Sequence, residues 1–419
     1  MQLIASRKRF ILAILLSASF TGVFFLPHVL RIGSSPVQNF EESDLESWSS
    51  SNPTATKCEV SRPPAATVVV DPLLDPLHSF VSLNGPPTAA YKDNLRNHTK
   101  YITSWGSSAG WANDVISLMN LIYLGLITDR VSILPPHTST HLPWESPSLP
   151  FGEAFDVPRL RRALGTPVLE WREVKQTDSE VLDDIGCWNV WESVQYSANT
   201  PRHSIVHDKL RLDISYTKTP QWIKMIPNYE HDQHCTFWSL AALAFPDARA
   251  ANLVPPLPSP QHQLSLPPDE QLLCFDYLYY VAAQEPFEIG LDYSPAWRYV
   301  GQHMHWTPVL DRLTNEYIRH SLRLDAEDPI PPFYFRPRPA GRLSGLVKAE
   351  IWEQKQLAVN HVIITSDEKD PAWWQDVSGL GWWTPDHAEL KTEERFGVWY
   401  PVLIDAAIHS RGSGVCGDR

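Results

Sequence analysis

The chain has 419 residues, 43% hydrophobic and 20% charged, enough to bury a large core and to make two domains. Its net charge of -13 excludes the basic footprint of a nucleic-acid binder. Seventeen Trp and fourteen Tyr suit sugar sites, although core packing accounts for most of them. At the N-terminus Arg7-Lys8-Arg9 precedes an uncharged run from Phe10 to Leu30, broken only by Pro27 and His28. At about 1.5 Å per residue this run matches the roughly 30 Å hydrocarbon core. The basic cluster holds residues 1–9 in the cytosol and places the chain beyond the span in the lumen. A cleaved signal peptide is the rival reading, since Ser17-Ala18-Ser19 offers small residues, but the run is long for one. Residues 31–90 are rich in Ser, Pro, Thr and acidic side chains and read as a disordered stem. Tail, single span, stem and lumenal domain are the layout of a type II Golgi or ER membrane glycosyltransferase. Asn97-His98-Thr99 is the acceptable glycosylation sequon, because Asn52 is followed by Pro53. The five cysteines form no Cys-x-x-Cys pair, which argues against zinc, and one or two disulfides of open pairing are expected.

The stretch from Tyr101 to Pro136 organises the rest. Tyr101 to Ser104 has strand character, and the loop after it carries Gly106 and Gly110, where backbone amides can approach a ligand. Val115, Leu118, Met119, Ile122 and Leu126 mark a helical face, with Asn113 or Asp114 as its N-cap. Val131 to Leu134 reads as a buried strand stopped by Pro135-Pro136. Strand, glycine loop, helix and strand make a βαβ half-unit whose helix N-terminus suits a diphosphate.

Further along, Asp156 caps a short helix and Val168 to Trp171 is a strand. Thr177 to Lys224 reads as loops and short elements. Glu230 to Cys235 and His303-Met304-His305 read as polar surface turns, since neither has metal-ligand spacing. Leu253 to Pro268 contains six prolines and is a surface loop, and Leu272 to Val281 is strand-like. Val309 to Leu324 is a helix stopped by the prolines of Asp328 to Pro332, which mark a domain boundary near 328. His361 to Thr365 is a buried strand with Ser366-Asp367-Glu368 at its ligand-binding end, and Asp370 caps a helix with Pro371 at its first position. A last helix starts near Tyr400 and buries Val402, Leu403, Ala406 and Ala407.

Gly110-x-x-Asn113, the apolar helix, Thr128-Asp129-Arg130 and the strand ending in Pro135-Pro136 resemble the first motif of the GDP-fucose protein O-fucosyltransferase superfamily. The string from Thr365 to Trp374 resembles that family's C-terminal nucleotide motif, and Arg395 to Ile408 is also similar. The resemblance covers roughly 101–175 and 270–417. It implies an α/β fold of GT-B type, with two Rossmann-like domains facing a cleft at 91–327 and 328–419. It also implies transfer of L-fucose from GDP-fucose to a hydroxyl of a protein or glycan, with inversion. Gly106, Gly110 and Asn113 would then meet the sugar diphosphate, and Thr365, Ser366, Asp367 and Glu368 the nucleoside. No Asp-x-Asp pair occurs, which fits a site with no metal or other cofactor besides the donor.

Two departures stand beside this. Where the family carries a His-x-Arg strand for the pyrophosphate, this chain has Phe333-Tyr334-Phe335-Arg336-Pro337-Arg338-Pro339, with no His and prolines expected to spoil a central strand. Arg336 is the positional candidate. After Gly417 the family continues into a phosphate loop and a closing helix, so the second domain is expected to be incomplete. The catalytic base is unassigned: Asp114 is nearest, and a first-turn helix acid explains it equally well. The alternative reading is a non-catalytic lumenal protein of this fold with at most weak GDP binding.

Overall fold

The computed structural model describes residues 77–106, 109–138, 140–196, 198–202, 204–286, 288, 294–336, 361–366, 370–412 and 414–415. The apolar run at 10–30, the stem as far as residue 76, and Asp367 and Glu368 lie outside them. The main sheet is built from β1 (Tyr101–Ser104), β2 (Val131–Leu134), β3 (Val168–Glu170), β4 (Asp183–Asn189) and β5 (Leu212–Lys218). After a two-residue β6 (Cys235–Thr236), β7 (Leu272–Phe275) completes it. All its pairings are parallel, in the order β3-β2-β1-β7-β4-β5. β1 is central, with Ile102 opposite Ser132 on one side and Thr103 opposite Cys274 on the other. The chain runs outward from β1 to β3, crosses to β4 and β5, and returns through β7, so the winding reverses beside β1. Open α/β sheets bind ligands at the carboxyl ends of their strands at such a reversal.

The β1–β2 crossover is helix Trp111–Thr128, which packs on both strands. Among the described residues it alone has the length and hydropathy to cross a membrane, but it is a core helix. Ile116, Leu118, Leu121, Ile122 and Leu124 are all buried, each contributing about 1.5–3 kcal/mol of transfer free energy. It ends where Asp129 adopts the left-handed conformation.

β8 (Val281–Ala282) pairs with β6, and a second parallel sheet of β9 (Phe333–Arg336), β10 (His361–Ile364) and β11 (Gly414–Val415) has the order β10-β9-β11. The prolines around β9 do not spoil it, contrary to expectation. The strand fits between Pro332 and Pro337, so its own amides stay available to both neighbours, and β9 is central. Among the described residues this second sheet has three strands. The two sheets share one apolar core. Helix Pro308–Leu322 packs on helix Tyr400–Arg411, Arg411 pairs with Asp311, and the Trp399 indole donates to the Pro147 carbonyl at 2.7 Å.

Several expectations change in detail. Residues 79–90, placed in the stem by composition, are held to the domain. Helix Ser79–Ser82 leads to Leu83, which bridges Leu95, and the Tyr101 hydroxyl donates to the Ser82 carbonyl at 2.6 Å. Within 177–224 the two longest strands of the sheet appear. β4 begins with acidic residues and shows no alternation, because both its faces are covered. Its Asp183 is neutralised by the buried Lys175 ammonium at 2.7 Å. The proline-rich loop 253–268 has no regular structure but is packed onto the sheet. A Cβ on Gly186 would lie 1.9 Å from the Pro267 carbonyl oxygen, and the Leu257 amide donates to the Tyr216 carbonyl. The turn at 230–235 is only partly a surface feature, since Asp232 and His234 are buried and bond each other at 3.1 Å. Val402 faces outward at 37% exposure, whereas Leu403 and Ala407 are buried.

Candidate functional site

β1 delivers its chain to the reversal of the sheet as Ser104, Trp105 and Gly106. Gly106 is buried, and a Cβ there would lie 2.7 Å from Asp114 Oδ1. Gly110, not Asn113 or Asp114, is the N-cap of helix Trp111–Thr128, and its carbonyl accepts from the amides of Asn113 and Asp114. A Cβ at Gly110 would meet only His141 at ordinary contact distance, so packing does not require glycine there. The first-turn amides of an 18-residue helix open at this loop, with the positive end of its dipole. Asn113 is half-buried beside it.

Asp114 cannot serve as an accessible base as it stands. Its carboxylate is 1% exposed and accepts from the Thr138 amide at 3.1 Å, fastening the segment after β2 to the helix. The same segments carry buried polar atoms that have no hydrogen-bond partner among the described residues. They are Ser104 Oγ at the end of β1, Trp111 Nε1, both ring nitrogens of His137, and Thr138 Oγ1. Burial holds the His137 imidazole down to about 3, so it is neutral at physiological pH. The Trp111 ring stacks on Phe155 and Trp306 and approaches His137 at 5.9 Å. The Trp306 indole in turn donates to Ser410 Oγ of the last long helix at 2.8 Å, joining this site to the second sheet's side of the molecule.

Asp276 lies inside the stretch Leu272 to Val281 expected as one strand, but the strand ends at Phe275 and Asp276 comes directly after β7. It is fully buried and accepts from the amides of Val190 (2.6 Å), Trp191 (3.3 Å) and Arg202 (3.1 Å). Desolvation pushes its carboxyl up to about 7 against the pull of those amides. The Arg202 guanidinium lies over the Trp191 ring at 4.3 Å and near Tyr277. A carboxylate after the apolar run Leu272–Phe275 is the strand-end signal in the sequence that points to it.

On the second sheet, Arg336 ends the central strand in register with Ile364, and Thr365 and Ser366 come after β10. Because these strands are parallel, the three residues share the carboxyl edge. Asp370 caps helix Pro371–Gly379 by accepting from the Ala372 amide at 2.9 Å, as the sequence predicts. At the opposite, amino edge of the main sheet, Asp184, Asp213 and His262 bring ligand-type atoms within 4.8 Å of one another. There the Asp213 oxygens are taken by Ser259 Oγ and the amides of Gln261 and His262, which explains the cluster as a fastening for the proline-rich loop.

No protein-family model matches the chain, and no curated protein matches it. Among solved structures, POFUT1 in complex with GDP is similar at 12% identity and a TM-score of 0.45, over 76% of this chain and 90% of that one. The fucosyltransferase NodZ from Bradyrhizobium is similar at 14% identity and a TM-score of 0.36, over 76% of this chain and 88% of that one. An Arabidopsis thaliana FUT1 mutant in complex with GDP is similar at 10% identity and a TM-score of 0.33, over 76% and 66%.

Proposed function

We propose that the chain is a fucosyltransferase-like glycosyltransferase of GT-B type. It would take L-fucose from GDP-fucose and pass it, with inversion and without a metal, to a hydroxyl of a protein or glycan. The observation that carries this reading is a set of buried polar atoms with no partner among the described residues. They belong to Ser104 at the carboxyl end of the central strand, to Trp111 at the start of the following helix, and to His137 and Thr138 directly after the segment whose sequence resembles the family's first motif. Each such atom costs about 1–3 kcal/mol when left unmade, and a polar ligand that pairs them returns that cost. Charge on the departing diphosphate calls for amide and cationic donors, which the Trp111–Thr128 N-terminus and Arg336 would offer from facing domains. Thr365, Ser366, Asp367 and Glu368 would hold the nucleoside.

The lumenal, membrane-anchored placement belongs to the same proposal. The Cys187–Cys274 disulfide fits an oxidising compartment, and Asn97 is exposed where a glycan could be added. A second reading, GDP binding without turnover, draws on the burial of Asp114 and on the sequence Phe333-Tyr334-Phe335-Arg336, where the family's His-x-Arg is not present. Titration calorimetry with GDP, paired with an assay of fucose release or transfer from GDP-fucose, separates them. GDP binding with no fucose released over hours at high protein leaves the second reading. Absence of GDP binding removes both.

A further inference from the structure

We infer that the pocket at the carboxyl ends of β4 and β5 binds a neutral saccharide. It is lined by Ser193, Gln195 and Tyr196 from the segment after β4, and by Gln221, Lys224 and Asn228 from the segment after β5. The sheet is parallel, so this pocket opens on the same edge as the Gly106 loop. At about 4.8 Å between neighbouring strands, β4 and β5 stand roughly 10–14 Å from β1.

The lining decides the ligand class. Its principal charges are already used inside the protein. Glu192 pairs with Lys218 at 2.9 Å and accepts from the Asn189 side chain at 2.8 Å. The Lys224 ammonium is buried and gives two of its three protons to the carbonyls of Tyr229 (2.8 Å) and Glu230 (3.1 Å). What the lining adds to these is the neutral carboxamide chemistry of Gln195, Gln221 and Asn228, with Glu230 as a further lining residue. Tyr196 lines the pocket at 51% exposure, and two further exposed rings, Tyr229 at 51% and Trp222 at 40%, follow directly in sequence on the lining residues Asn228 and Gln221. Tyr196 and Tyr229 flank the His231 ring at 4.3 and 5.8 Å, and the Trp222 indole is fixed by Asn252 Oδ1 at 3.0 Å. Fixed aromatic faces next to neutral donors and acceptors match the apolar face and hydroxyl rim of a pyranose. A phosphate or acidic ligand would find one lysine among the described lining residues, Lys224, and that ammonium is already bonded to two carbonyls.

In the transferase reading this pocket would hold the acceptor, and that name rests on the reading; the binding itself does not. The test uses the whole lumenal protein and saturation-transfer NMR with maltotriose, cellotriose, chitotriose and mannotriose, plus trigalacturonate and an unglycosylated Ser/Thr-rich peptide. GDP calorimetry runs in parallel. At least one neutral trisaccharide is expected to bind, with affinity falling at least tenfold in Tyr196→Ala and in Gln221→Ala while GDP affinity and melting temperature hold. If GDP fails to bind but the trisaccharide behaves this way, the pocket stands and the donor reading falls. The inference is overturned if no neutral trisaccharide binds, if both variants bind as the parent does, or if the peptide alone responds to them.

Discussion

Asp114 and Gly106 are packed so closely that residue 106 has no room for a side chain: a Cβ would come 2.7 Å from Asp114 Oδ1. Asp114 cannot retreat without loosening the Thr138 amide that it holds at 3.1 Å. Gly106→Ala should therefore cost about 1–3 kcal/mol, the usual range for overpacking a filled site. GDP affinity should fall with it, because the loop would be pushed from the β1 edge. Urea unfolding of the two single variants and of Gly106→Ala with Asp114→Ala completes a double-mutant cycle. The two losses should be less than additive, since removing the carboxylate relieves the clash. Strict additivity would show that the two residues do not press on each other.

The β1-to-β2 unit is legible in the sequence because each of its signals is local. Tyr101–Ser104, the two glycines, the apolar spacing of the helix and the double proline all lie within one stretch. The helix cap is not, because Asn113 and Asp114 are good capping residues by type. The chain instead enters the helix at Gly110 and uses Asp114 to tie down Thr138. β4 is hidden because a parallel strand covered on both faces carries no alternation, and its acidic start is neutralised by Lys175, eight residues earlier. β9 is misleading because Pro337 and Pro339 count against a strand that in fact ends at Arg336. The unsatisfied atoms of Ser104, His137 and Thr138 cannot be read from the chain. Each is an ordinary residue until folding buries it away from a partner.

Cys187 and Cys274 sit on the neighbouring strands β4 and β7, with Cα atoms 4.6 Å apart and a sequence separation of 87. Removing a native disulfide of this kind typically costs about 2–5 kcal/mol. Cys274→Ser should lower the urea midpoint accordingly, and a reductant should do the same to the parent protein while leaving the variant alone. Burial pushes the Cys235 thiol up, so it should resist alkylation until the chain unfolds. A parent protein indifferent to reductant would show that the pair contributes nothing.

Asp276 sets a pH dependence of definite sign. Its carboxyl sits at about 7 in the folded protein because of desolvation, against roughly 3.9 in an unfolded chain. Between those values the folded protein keeps a proton that the unfolded chain has lost. Its contribution to stability therefore falls as pH rises from about 4 to about 7, by at most about 1.4 kcal/mol per unit. Asp276→Asn keeps a carbonyl oxygen for the Val190 amide and removes the titration. Denaturant midpoints at pH 4, 5.5 and 7 should show the variant gaining on the parent as pH rises. A difference constant across that range would mean that the three amide donors hold the carboxylate ionised throughout.

His137 runs the other way. Burial lowers its imidazole to about 3, below the roughly 6.5 of an unfolded chain, so the unfolded chain takes up a proton that the folded one refuses. Stability from this group is complete above about 6.5 and is lost as pH falls toward 3. Neither ring nitrogen has a hydrogen-bond partner among the described residues, while the ring stacks on Phe151 at 5.7 Å. An apolar ring should satisfy that environment better than the imidazole does. His137→Phe is thus expected to stabilise the protein by about 1–3 kcal/mol at neutral pH, with the gain growing as pH falls from about 6.5 toward 3. His137→Leu guards against overpacking by the larger ring. If the imidazole is kept for a ligand, both variants must weaken GDP or GDP-fucose binding as they raise the melting temperature. Stability gained with nucleotide affinity unchanged would make His137 a packing residue, and would move the donor site away from the β1–β2 edge toward Asp276 and Arg202.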